Sequence, residues 1–199
     1  MLSNWNAEQT LTAFALLGAG VAFVVGLLQY KKAQRWKRAE WVSQEMKGFL
    51  TNPQVDAAFK MVDWGWRPIQ LFPHRENPDR LEFISAQEIV DALRPHGNGC
   101  TFTEKETAVR DAFDTLCDGL ERFESYIRAG LVTESDVEPY LDYWGVHLRP
   151  DSPDPKLRRI REYMSHYGWD GATSLLDRFQ APASARKDTA RDRADVGSG

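Results

Sequence analysis

TEKETAVRDAFDTLCDGLERFESYIRAG, residues 103–130, is the stretch on which the fold turns. Its apolar residues Val109, Phe113, Leu116, Leu120, Phe123 and Ile127 recur at spacings of four and three. A helix of 3.6 residues per turn puts those positions on one stripe, whereas a strand would alternate every second residue. Thr103 followed by Glu106 is a capping box that opens the helix, and Gly130 supplies a residue able to end it in the left-handed region. The spacing predicts a helix over about 104–129 whose seam suits the centre of a bundle. Asp111, Asp114, Asp118, Glu121 and Arg122 fall on the opposite face. That face reads as a solvated flank, with a surface for a basic partner or a divalent cation as the other reading.

Helices are also predicted on both sides of this one. Ser85 and Glu88 form another capping box, opening a short helix through Arg94 that the sequence Pro95-His96-Gly97-Asn98-Gly99 ends. Thr133 and Asp136 open a helix from about Glu134 with Val137, Tyr140, Leu141 and Trp144 inward. Pro139 lies inside it and is expected to separate its first turn from the rest. Ser152-Pro153-Asp154-Pro155 introduces a helix over 156–167, and a short one follows over 171–179. Upstream, Asn52-Pro53 is an N-cap with proline at the first helical position. It opens a helix over 53–64 with Val55, Ala58, Phe59 and Val62 inward. Residues 65–80, GWRPIQLFPHRENPDR, read as a long connection, extended at 69–72. Trp64, Trp66, Ile69, Leu71 and Phe72 are expected to tack it onto the helices.

The N-terminal part differs in kind. TLTAFALLGAGVAFVVGLL, residues 10–28, has no charge, Asn, Gln or Pro in 19 residues. As a helix it would span about 28 Å, close to the hydrocarbon thickness of a bilayer. Ten of its residues are Leu, Val or Phe, which favour insertion by about 3–6 kcal/mol. Trp5 precedes the run, and Tyr30 and Trp36 follow it, where interfacial aromatics belong. A cleavable leader wants a basic N-region and a small-residue cleavage site. Here the N-region is acidic and the run ends in LLQYKKAQRWKR. Gly18, Ala22 and Gly26 are spaced by four, a small-residue stripe along which such helices pack closely, and hence a route to a homo-oligomer. From Ala33 to Leu50 the helix is expected to continue, with Trp36, Ala39, Val42, Met46 and Phe49 on one stripe.

The net charge of −4 over 199 residues conceals two opposite regions. Residues 31–38 carry Lys31, Lys32, Arg35, Lys37 and Arg38 and no acid, whereas residues 39–180 hold 16 Lys/Arg against 25 Asp/Glu. The collar of Lys31, Lys32, Arg35, Trp36, Lys37 and Arg38 is expected to lie at the membrane interface, each cation gaining about 1 kcal/mol beside anionic lipid. By the positive-inside rule it puts everything after it in the cytoplasm. The acidic remainder excludes a general nucleic-acid binder. Two cysteines, Cys100 and Cys117, exclude a disulfide scaffold, and reduced thiols are expected.

The expected fold class is therefore all-α, an N-terminal transmembrane helix continuing into a cytoplasmic helical bundle. The divisions are a short extracytoplasmic N-terminus (1–9), the transmembrane helix (10–30), a basic juxtamembrane helix (31–52), the helical cytoplasmic domain (53–180) and a disordered tail (181–199). The tail is rich in Ala, Arg, Asp, Ser and Gly and has no aromatic residue.

Catalytic signatures are absent from the sequence. It has no GxxxxGK[ST], no strand-borne GxGxxG, no HExxH, no CxxC and no GxSxG. Cys117 adjoins the seam positions Leu116 and Leu120 and reads as a buried structural thiol. No cofactor and no metal site are expected. The unusual content is aromatic: seven Trp, six Tyr and ten Phe. Trp64-Gly65-Trp66, Tyr143-Trp144 and Tyr167-Gly168-Trp169 fall at helix ends. There they staple loops onto the bundle or line a groove for a partner peptide.

KRAEWVSQEMKGFLTNPQVDAAFKMVDW (37–64) and FDTLCDGLERFESYIRAGLVTESDVEPYLDYW (113–144) carry a resemblance. The chain resembles an uncharacterised family of small bacterial single-pass membrane proteins with a helical cytoplasmic domain of unknown function. The resemblance covers about residues 10–170. It implies architecture and location and transfers no catalytic residue. The leading expectation is a non-enzymatic tether or adaptor at the cytoplasmic face of a bacterial inner membrane, N-terminus outside, with the bilayer and an unidentified protein as partners. Two alternatives stand beside it. One is a membrane effector that oligomerises through its span. The other is an enzyme whose site is assembled from residues distant in sequence, such as Asp63, His74 and His147.

Overall fold

The structure, a computed structural model, describes residues 7–73, 81–97 and 99–180. The expectations placed on Trp5, His74 and the tail from 181, and most of that on residues 1–9, lie outside them. The chain divides into one unit ending at Ser43 and another beginning at Gln44. Helix α1 runs from Ala7 to Leu50. From Leu11 to Leu28 its large apolar side chains face outward, Leu11 77% exposed and Phe14 72%. Among the described residues it is the one helix long and apolar enough to cross a membrane.

The second unit is built around α4 (Glu104–Arg128). Thr103 Oγ1 accepts from the Glu106 amide at 3.2 Å, and the Thr103 amide donates to Glu106 Oε2 at 2.7 Å, the reciprocal cap expected of that pair. At the other end Gly130 has φ +70°. The Leu131 amide reaches back to Tyr126 C=O and the Gly130 amide to Ile127 C=O, both at 3.0 Å, a Schellman closure. Val109, Phe113, Leu116, Leu120 and Phe123 are buried, so the predicted seam is the core face; Ile127, at its end, is half-buried. α4 packs against α2 (Pro53–Asp63), α3 (Ala86–Ala92) and α7 (Asp170–Asp177), and α6 (Pro155–His166) packs on α3 and α7. Val55, Ala58, Phe59 and Val62 of α2 point inward as expected, with Ala57 and Met61. The final turn of α1 adds Met46 and Phe49 to this core.

Three expectations need correction. The unit is not wholly helical: β1 (Trp66–Ile69) pairs antiparallel with β2 (Glu82–Ser85), Trp66 opposite Ser85 and Ile69 opposite Glu82. Four-residue strands, one containing Pro68, carry too little alternation to be read as strands from sequence. Of the residues expected to tack this segment down, Ile69 and Leu71 are buried and Phe72 is half-buried, but Trp64 and Trp66 are 46% and 66% exposed, and Trp66 stacks on Phe83 instead. Finally, α5 (Glu134–His147) is one helix through Pro139. Only the Ser135 carbonyl loses its i+4 donor there, near the surface end of the helix, so no separate first turn forms.

Candidate functional site

The acidic flank of α4 is not one solvated face. Asp111, Asp118 and Arg122 are exposed. Glu121 Oε1 accepts from the amides of Gly171 at 2.6 Å and Ala172 at 3.0 Å, so it caps the start of α7. Asp114 Oδ1 accepts from the Tyr163 hydroxyl at 2.5 Å. Burial and that neighbouring carboxylate both push the Tyr163 phenol well above its ordinary range. The flank thus ties α4 to α6 and α7.

Asp111 and Asp114 face a cavity of about 530 Å³. Its back wall is Arg110, only 6% exposed. Nη1 of Arg110 donates to the carbonyls of Ala92 (2.9 Å) and Arg94 (3.0 Å), ending α3. Nη2 donates to the Tyr167 hydroxyl (2.9 Å) and to His96 Nδ1 (3.2 Å). The guanidinium carbon lies 4.3, 5.0 and 5.3 Å from the ring centres of Phe102, Tyr163 and Tyr167. Because arginine only donates, His96 Nδ1 is an acceptor. The Tyr167 hydroxyl, which also accepts from the His96 amide at 3.1 Å, donates to that nitrogen at 2.6 Å. No carboxylate among the described residues pairs with Arg110. Its charge is held by carbonyl dipoles and aromatic faces.

The turn after α6 presents the remaining wall. Gly168 adopts φ +75°, the Trp169 amide donates to Met164 C=O at 2.9 Å and the Gly168 amide to Ser165 C=O. This Schellman turn sets Tyr167 and Trp169 on the cavity together. Trp169 Nε1 is buried and has no acceptor among the described residues, an omission worth about 1–3 kcal/mol when nothing else satisfies it. A second cavity of about 410 Å³, floored by Leu71, Phe72 and Pro73, shares Phe102, Thr107 and Asp111 with the first. The two adjoin along one side of α4, and both mix aromatic or apolar side chains with charged ones.

Other buried charges serve the fold. Lys156 donates to the carbonyls of Met61 (2.9 Å), Val62 (2.5 Å) and Trp64 (3.3 Å), satisfying the end of α2. Burial lowers its pKa. Glu124, 1% exposed, accepts from Arg128 and Arg178. Sequence reasoning missed Arg110, Glu124 and Lys156. Their one sequence signal is position, since Arg110 and Glu124 each directly follow a seam residue.

The remaining expected residues fall as follows. Lys31, Lys32, Arg35, Trp36 and Lys37 are exposed on α1, Trp36 at 71%, and Arg38 is half-buried. Gly18, Ala22 and Gly26 are exposed on one side of α1, and no side chain stands within 4 Å of a Cβ built on either glycine. Asp63 and His147 meet at Tyr143, whose hydroxyl donates to Asp63 and whose ring lies 4.0 Å from the imidazole. The bond to Asp63 raises the Tyr143 pKa, so this phenol is held in its protonated form. Cys117 is buried and Cys100 half-buried. Among the described residues no cluster of His, Cys, Asp and Glu could hold a metal ion. No protein-family model, no curated protein and no solved structure matches this chain.

Proposed function

We propose that the protein is a single-pass membrane-anchored adaptor, non-enzymatic, that presents a partner-binding helical domain at the cytoplasmic face of a bacterial inner membrane. The observation that carries this reading is α1. Its large apolar side chains stand in the open, and leaving so continuous an apolar surface in water is what a bilayer relieves. The collar from Lys31 to Arg38, directly after the apolar run, argues for an outside N-terminus and a cytoplasmic remainder. The helical unit supports the adaptor half: its α4 core is closed, and a cavity on its surface is lined by aromatic and charged residues.

The test is alkaline carbonate extraction of membranes carrying the full chain, beside a chain lacking residues 1–30, with protease protection of each end. The full chain is expected in the pellet, its C-terminal side shielded from protease in intact spheroplasts and digested in inverted vesicles, and the truncated chain in the supernatant. Full chain in the supernatant overturns the reading. A second reading rests on the open stripe of Gly18, Ala22 and Gly26, and makes the protein an oligomerising membrane effector. Growth arrest on expression, abolished by Gly18→Leu or Gly26→Leu, favours that one.

A further inference from the structure

We infer that the outer face of the β1–β2 hairpin docks on the lipid bilayer and gives the unit from Gln44 onward a contact of its own with the membrane. This rests on the membrane-anchor reading and deepens it.

Successive side chains of a strand point to opposite faces. Ile69 of β1 and Ile84 of β2 are buried, so Trp66, Pro68 and Phe83 fall on the face away from the core, and all three are exposed. Pro68 stands opposite Phe83 in the register. Trp66 lies flat on Phe83, with 5.4 Å between ring centres and 28° between planes. Leu81, two residues before Phe83, continues the row and is exposed as well. The charged residues of the two strands, Arg67 and Glu82, belong to the other face, where Arg67 lies 3.8 Å over the Trp64 ring. Ser85, the polar member of the outer row, turns its hydroxyl to the cap of α3. The row of Trp66, Pro68, Leu81 and Phe83 is therefore apolar and uncharged, in a stretch of chain where acids outnumber bases 25 to 16.

Size, chemistry and tethering choose lipid as the occupant. A large aromatic side chain buries about 150–250 Å², and these rings are already partly covered, so the row offers on the order of 400 Å². A stable interface takes about 800 Å² from each partner, twice what a second copy would find here. Exposed patches of this size do serve as membrane contacts. An indole among phenyl, proline and leucine side chains, with no charge, is the composition that settles at the level of lipid headgroups. The anchor also delivers it there. Five residues separate Arg38, the last cation of the collar, from Gln44, where the unit begins. A span in the bilayer therefore holds the unit beside the membrane at an effective concentration on the order of millimolar, at which a face too weak for a free protein is occupied. The acidic excess over residues 39–180 is repelled by an anionic leaflet, which favours laying an uncharged face against it.

The experiment is fluorine NMR of the full chain, labelled with fluorotryptophan, in phosphatidylcholine nanodiscs, with Trp66 assigned by its loss in Trp66→Phe. The probes are phosphatidylcholine carrying a doxyl spin label near its headgroup and a water-soluble gadolinium chelate. The Trp66 resonance is expected to broaden several-fold with the doxyl lipid and to be spared by the chelate. Leu81→Glu sets a charge in the row and leaves the Trp66–Phe83 stack in place. It should remove the lipid broadening and open Trp66 to the chelate. Leu131→Glu, at a comparably exposed leucine in the turn after α4, should change neither. A Trp66 that the lipid label leaves sharp and the chelate broadens overturns the proposal, as does lipid broadening that survives Leu81→Glu. Shielding from the chelate without lipid broadening, lost at one chain per nanodisc, assigns the face to a second copy and also overturns it. Carbonate extraction separates this from the anchor reading. A full chain that leaves the pellet rejects the anchor and the docking together. A full chain that stays in the pellet with Trp66 open to the chelate keeps the anchor and rejects the docking.

Discussion

Gly119 of α4 lies so close to Phe49 that a Cβ built on it would stand 2.2 Å from Phe49 Cε2 and 2.5 Å from Cδ2. The ring cannot easily yield, because it is held edge-on by Phe123 at 5.4 Å and Phe59 at 6.0 Å. A glycine in mid-helix ordinarily costs about 1 kcal/mol relative to alanine; here it is the residue that lets α4 meet Phe49. Gly119→Ala is therefore expected to destabilise the domain by about 1–3 kcal/mol, as overpacking does, in spite of the gain in helix propensity. Thermal melts of the full chain in detergent, followed by helical circular dichroism, check it. A raised melting temperature would mean the ring moves freely and the contact does not constrain the core.

Glu124 separates two arginines that look equivalent on paper. Arg178 Nη2 and Nε donate to it at 2.7 and 3.1 Å, while Arg128 Nε reaches it at 2.9 Å from a side chain 60% exposed. Arg178, 32% exposed, also pairs with Glu134, so it joins α4, α5 and the end of α7. Arg178→Ala leaves a buried carboxylate with one solvent-screened partner and is expected to cost about 2–3 kcal/mol. Arg128→Ala should cost less than about 1 kcal/mol. Equal losses in the two variants, measured by the same melts, would contradict the asymmetry.

The two thiols should differ sharply toward alkylating reagents. Cys117 is sealed in the α4 seam, where burial first, and Asp114 and Glu121 second, push its pKa far above the ordinary thiol range. Cys100 is half-buried in the loop before α4. Mass spectrometry after iodoacetamide is expected to show one adduct per native chain and two after denaturation. Two adducts on the native chain would mean that the seam opens on the timescale of the reaction.

How far the sequence foretold this molecule follows from how local each signal is. The seam, the caps at Ser85, Thr103 and Asn52, and the stop at Gly130 are all written within one or two turns of the residues they control, and each is found where expected. The apolar run of α1 is equally local. The hairpin was missed because its pairing partner lies beyond a long connection and Pro68 masks one strand. The cavity was missed for a stronger reason. His96 and Tyr167 are 71 residues apart, and no periodicity links them. Arg110 looks like an ordinary helix arginine until the loop after α3 and the turn after α6 close over it. The acidic flank was visible, but its division into exposed Asp111 and Asp118 and internally bonded Asp114 and Glu121 depends on where α6 and α7 pack.

Acid should expose the link between α3 and α4. Arg94 Nη1 bonds Glu106, and the Thr103 amide donates to the same carboxylate. The arginine first, and the capping amide second, hold the Glu106 pKa at about 2 against an ordinary 4.5. A depressed carboxyl contributes stability that is fully present above its unfolded-state pKa and lost as pH falls toward the folded value. The window therefore runs from 4.5 down to about 2. The pair lies near the surface, so solvent screening limits the effect to about 1 kcal/mol. Glu106→Gln keeps the acceptor for the Thr103 amide but not the charge. Wild type is expected to lose about 1 kcal/mol more than this variant between pH 5 and pH 2.5, the two converging at the acid end. Glu88, lowered chiefly by Lys105, titrates in both chains and cancels in the comparison. Parallel pH profiles for the two proteins would show that Arg94 and Glu106 do not bind each other in solution.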